Sequence, residues 1–93
     1  MRALVDVSIC VKDGRLAIVP GGRGPAYCYV CGDVAPNIFD DDDFQITAVY
    51  MESDCGTARD YLSGEWAEQA EQILVNDDEW RQWALRQVRR AAA

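Results

Sequence analysis

Two cysteines three apart, Cys28 and Cys31, followed directly by Gly32, are the residues whose spacing most directly suggests chemistry. A C-x-x-C-G run is half of a zinc knuckle: two thiolates reach one metal while the glycine permits the turn that follows. A structural zinc site takes four ligands, and the chain has no histidine. Cys10 and Cys55 would have to complete the set, with Asp33 as a substitute, and neither belongs to a second C-x-x-C. The competing reading is of small, buried, reduced cysteines in a sheet. A thioredoxin-like dithiol needs a helix N-terminus to lower the thiol pKa, and residues 32–37 do not read as a helix start. The leading expectation is therefore no cofactor, with a zinc-stabilised structural or adaptor module as the alternative.

Asp40, Asp41, Asp42 and Asp43 form the second conspicuous run. A calcium loop spaces its acids so that they converge on one ion, whereas four consecutive aspartates point in alternating directions. A solvated loop is the plain reading. The functional one is a partner-facing acidic patch, extended by Glu52, Asp54 and Asp60. Trp80 and Trp83, three apart, share one side of a helix. Tryptophans usually fill a core, but they also anchor protein interfaces. Arg81, Arg86 and Arg90 beside them would suit either a homodimer or a host-protein surface.

Catalysis has little support. With no histidine, the commonest general base at neutral pH is missing. A nucleophilic cysteine needs a base or an electropositive setting, and Cys28, Cys31 and Cys55 lie in or beside the acidic part of the chain. The expectation is that the protein is not an enzyme.

The elements that must position these residues fall in order. Val5, Val7, Ile9 and Val11 alternate with Asp6, Ser8 and Cys10, the pattern of a half-buried strand. Asp13-Gly14 then signals a tight hairpin, because a type I′ turn needs positive φ at both central positions. Pairing Lys12 with Arg15 sets Val11 against Leu16 and Ile9 against Ile18. The loop 20–25 precedes a short strand over 26–30, and 32–43 reads as loop. Phe44 to Met51 alternates again, with Phe44, Ile46, Ala48 and Tyr50 on one face. Ser63 is the expected N-cap of a helix whose stripe is Trp66, Ala67, Ala70, Ile73 and Leu74. Asn76 with Glu79 resembles a capping box opening a second helix, 77–90; one bent helix over 64–90 is the other reading.

Charge is segregated. Residues 1–32 carry two acids and four bases, 33–79 carry fourteen acids and Arg59 alone, and 80–93 carry four arginines and no acid, for a net charge of −7. An acidic middle repels phosphate, which argues against direct nucleic-acid binding, and favours a partner with a basic surface. Asp6 interrupts the N-terminus before a leader-like apolar run develops. No stretch approaches the roughly 20 apolar residues that span a bilayer. A cytoplasmic protein with no membrane partner is the expectation.

Phe44-Gln45-Ile46-Thr47-Ala48-Val49, a short loop, then Asp60-Tyr61-Leu62-Ser63-Gly64-Glu65 leading into an acidic helix, resembles small uncharacterised proteins of tailed phages and prophages. The likeness covers the C-terminal half only; the cysteine run and the arginine-rich helix lie outside it. It implies a class of work, occupying a surface of a host protein in the host cytoplasm, as anti-CRISPR proteins and other host-takeover inhibitors do. It brings no catalytic residues.

The reading is thus a single α+β domain, 1–93, mainly β over 1–51 and helical over 63–90. An antiparallel sheet of three or four strands is expected to pack on one or two C-terminal helices. Val5, Val7, Ile9, Val11, Leu16, Ile18, Ile46, Ala48, Ile73 and Leu74 form the expected core. The expected function is binding and inhibiting or modulating a host protein, through Asp40, Asp41, Asp42, Asp43, Glu52 and Asp54, with Trp80 and Trp83 as a second contact.

Overall fold

A computed structural model describes residues 3–21, 27–40, 42–53 and 59–92. Five strands, β1 (Val5–Lys12), β2 (Arg15–Pro20), β3 (Tyr27–Pro36), β4 (Phe44–Ser53) and β5 (Asp60–Tyr61), precede two helices, α1 (Gly64–Val75) and α2 (Asp78–Ala92). The sheet is antiparallel, in the order β2-β1-β3-β4-β5. The α+β architecture expected from the sequence is the one observed. No helix among the described residues is long and apolar enough to cross a membrane.

The first hairpin has the expected register. Lys12 pairs with Arg15, Val11 with Leu16 and Ile9 with Ile18, and Asp13 and Gly14 both have positive φ, 54° and 77°. Val5 pairs with Val30. The β1–β2 turn therefore lies seven residues to one side of that level and Pro36 six to the other. At about 3.3 Å per residue this accounts for the 44 Å long axis of the molecule, with a hairpin turn at each end.

Burial departs from expectation at those ends. Val7, Ile18 and Leu74 are buried as expected, while Val5, Ile9, Ile46 and Ile73 are half-buried and pack against the core. Val11 and Leu16 are 70% and 59% exposed, because the hairpin end runs past the helices that cover the rest of this face. Two further corrections concern the middle of the chain. Residues 32–36, expected to be loop, continue β3, held by pairing to β4. A bulge between Asp33 and Val34 leaves no β3 residue opposite Thr47, whose hydroxyl donates to the Asp33 carbonyl at 3.2 Å, and reverses the alternation of β4. Phe44 and Ile46 face the helices on one side of the bulge, and Val49 and Met51 on the other. Ala48 and Tyr50, expected beside Phe44 and Ile46, lie on the reverse face.

Gly32 identifies the helix-covered face. A Cβ built there would lie 3.3 Å from Leu74 Cδ1, Trp80 Cζ2 and the Ala48 carbonyl oxygen. Both helices thus reach the sheet at the one strand position without a side chain. β1 stops pairing at Val5, and α2 lies against β3 beyond it, with Trp83 and Gln87 beside Asp33 and Val34.

The helices are two. Asn76 caps the end of α1, its Nδ2 donating to the Gln72 carbonyl at 2.8 Å, and Asp77 caps α2, its Oδ1 accepting the Trp80 N–H at 2.8 Å. The cap of α2 is therefore Asp77, one residue beyond the expected Asn76. Ser63 stands at the N-cap of α1 in extended conformation, but its hydroxyl makes no cap hydrogen bond. Replacing Asp77 with alanine is expected to cost about 1 kcal/mol in urea unfolding. An Asp77→Ala variant as stable as the parent would show that this cap contributes nothing.

Candidate functional site

The turn between β3 and β4 is built from its own side chains. Asn37 N–H donates to the Asp43 carbonyl at 3.0 Å and closes the loop. Within it, Asp40 N–H donates to the Asn37 carbonyl at 3.3 Å and Asp43 N–H to the Asp40 carbonyl at 3.0 Å. Side-chain oxygens accept from three further amides. Asn37 Oδ1 accepts from Phe39 N–H at 2.8 Å, Asp40 Oδ1 from Asp42 N–H at 3.0 Å, and Asp43 Oδ1 from Phe44 N–H at 2.8 Å. Short Asx side chains satisfy turn amides in this way because they can reach the backbone one or two residues on. Asp40 and Asp43 are thus part of the turn's frame as well as its charge.

At the tip of this frame stand Ile38 and Phe39, 76% and 91% exposed. Sequence reasoning passed over them. The signal was two large apolar residues, adjacent to one another inside a run of Pro, Asn and Asp. Asp40, Asp42 and Asp43 are exposed, and none is in an ion pair among the described residues. Asp41 and Asp54 lie outside the described residues.

The other expected site residues do not gather here. Glu52 is 7% exposed and sits opposite Tyr29, eight residues along β4 from Phe44, or about 26 Å at strand spacing. It cannot extend an open patch at the turn. Trp80 is fully buried, in edge-on contact with Phe44 at 5.5 Å between ring centroids and beside Trp83 at 5.9 Å. It is a core residue; of the two tryptophans only Trp83 is half-exposed.

Cys28 and Cys31 are free, buried and both in β3, as the reading of small cysteines in a sheet expects. In a continuous strand, residues three apart point to opposite faces. Cys28, paired with Val7, faces the helices, and Cys31, paired with Tyr50, faces the reverse side. Two thiolates on opposite sides of a sheet do not form a knuckle. Cys10 is exposed on β1, Cys55 lies outside the described residues, and no group of three or more potential ligands assembles among those described. Burial pushes the Cys28 thiol pKa up, which leaves it largely protonated and a poor nucleophile at neutral pH.

On the reverse face, Tyr50 is buried under Tyr61, at 5.4 Å between ring centroids, and under Arg59, whose guanidinium carbon lies 4.7 Å from the ring centroid. Asp33 accepts from the Tyr61 hydroxyl at 3.0 Å and pairs with Arg59 at 3.8 Å. Arg59, the only base between 33 and 79, is thus engaged within the chain and does not neutralise the turn.

The fold and the turn define a small α+β protein that presents exposed apolar and acidic side chains in the loop between β3 and β4. Comparison with protein-family models, curated proteins and solved structures gave no match.

Proposed function

We propose that the protein is a binding module that docks the 37–43 turn onto a partner protein, seating Phe39 and Ile38 in an apolar pocket rimmed by basic side chains. The class suggested by the phage-type resemblance, an inhibitor or modulator of a host protein acting in the host cytoplasm, fits this mode of work. The supporting observation is the exposure of Phe39 on a turn that Asn37, Asp40 and Asp43 brace through their own side chains. An aromatic side chain next to a braced turn loses less conformational entropy on binding than one on an unbraced chain. Its burial contributes about 1.5–3 kcal/mol, and the surrounding aspartates steer it toward positive surfaces.

The test uses the intact chain, immobilised, with capture from a host lysate quantified by mass spectrometry. Phe39→Ala is expected to lower recovery of the captured partner at least tenfold. A variant carrying Asp40→Asn, Asp42→Asn and Asp43→Asn keeps the side-chain acceptors that frame the turn while removing three charges; it is expected to weaken capture several-fold and to flatten its dependence on salt. Recovery unchanged in both variants would remove the turn as the binding surface.

A further inference from the structure

Away from the turn, α2 presents a second surface. A shallow groove of about 570 Å³ is lined by Ala3 and by Asp78, Glu79, Gln82, Trp83, Arg86, Gln87 and Arg90. Glu79, Gln82, Trp83, Arg86 and Arg90 recur at three- and four-residue spacing and form one stripe, flanked by Asp78 and Gln87 and turned away from the Trp80, Ala84 and Val88 face that enters the core. The stripe is acidic at its start and basic at its end. Arg86 and Arg90 are one turn apart, a like-charge pair that repels along the helix. Glu79 lies seven residues from Arg86, about 10 Å along the axis, too far to relieve it. Glu79, Arg86 and Arg90 are exposed, and none is in an ion pair among the described residues.

We infer that this stripe pairs with the same stripe of a second copy, the two α2 helices running antiparallel about a two-fold axis between Gln82 and Trp83. That single axis sets Glu79 against Arg86 of the other copy twice over, because the two residues are seven apart and nearly share one side of the helix. Such self-complementarity is what a closed, isologous dimer requires. A parallel arrangement would set Arg86 against Arg86. The contact of one 15-residue helix is at the small end for stable interfaces, so the dimer is expected to be weak, with dissociation in the micromolar range. It leaves the 37–43 turn to its own partner and does not depend on that reading.

Sedimentation velocity from about 5 to 300 µM, a range set by that interface size, tests it in 150 mM salt. The wild-type chain is expected to pass from monomer to dimer across this range. Glu79→Arg places two arginines against each other and Arg86→Glu two glutamates, so each variant alone is expected to dimerise at least tenfold more weakly. Mixed in equal amounts they restore both opposite-charge contacts, and a heterodimer is expected. Circular dichroism checks that the exposed substitutions leave the helix intact. A wild-type chain monomeric at every concentration overturns the inference. So does a dimer indifferent to either substitution, or a mixture no more dimeric than its components.

Discussion

Replacing Trp80 with alanine is expected to lower the unfolding free energy by about 3–5 kcal/mol, a large share of the 5–15 kcal/mol typical of a small domain. In a chain of this length each kcal/mol moves the melting temperature by roughly 4–8 °C, so the midpoint should fall by more than about 12 °C. The magnitude follows from position. Trp80 is fully buried and meets Phe44, Trp83 and the bare backbone at Gly32, so its removal empties the junction of α2, β3 and β4. Trp80→Phe should behave differently. The indole Nε1–H is buried and has no acceptor among the described residues. Phenylalanine leaves a smaller cavity and also removes a donor whose isolation costs about 1–3 kcal/mol. Its net cost is expected to be less than half that of alanine in urea titrations. Because alanine removes the donor as well, the comparison isolates the ring volume; equal losses for the two variants would show that the cavity does not set the cost.

Gly32 is the site of the second large effect. Its φ is not positive, so the backbone accepts any residue; the constraint is the space its neighbours occupy. Glycine inside a strand ordinarily weakens it. Here it admits Leu74 and Trp80 to within 3.3 Å of where a Cβ would stand. Gly32→Ala is expected to cost about 1–2 kcal/mol and Gly32→Val about 3 kcal/mol or more, the upper range for overpacking. One neighbour is the Ala48 carbonyl on the paired strand, which cannot swing aside like a side chain. The two sites should also couple. Phenylalanine at position 80 lacks the Cζ2 atom that a new methyl would strike, so Gly32→Ala should be milder in the Trp80→Phe background, by about 0.5–2 kcal/mol. Strict additivity in that cycle would show that the contact does not limit packing.

What could be read from the sequence was whatever a local rule specifies. Asp13-Gly14 prescribes a turn, the turn prescribes a register, and the alternation of Val5, Val7 and Ile9 agrees with it, so the first hairpin was legible residue by residue. The helices were legible from their stripes, although Asp77 took the cap from Asn76. What escaped depended on pairing at a distance. Residues 32–36 contain Gly32 and Pro36 and look like a loop until β4 is laid beside them. The bulge opposite Thr47 reverses the faces of β4, and simple alternation carries no sign of that. The fold buried Glu52, which the chain alone suggested as part of a surface patch, and took Trp80 into the core, the commoner of the two readings open to a tryptophan. At the candidate site the aspartates were visible as charge. Ile38 and Phe39 were not, because only the folded turn shows that nothing covers them.

One contact on the far side of the molecule bears on how the protein behaves in a crowded solution. β2 is a border strand, and its Ile18 N–H donates at 2.8 Å to the side-chain oxygen of Gln69 on α1. A glutamine thus takes the position that a carbonyl from an added strand would otherwise claim. Open sheet borders invite domain swapping and fibril growth; here the helix places a guard in the middle of that border, so the chain can remain dispersed at concentrations where an unguarded β2 would aggregate.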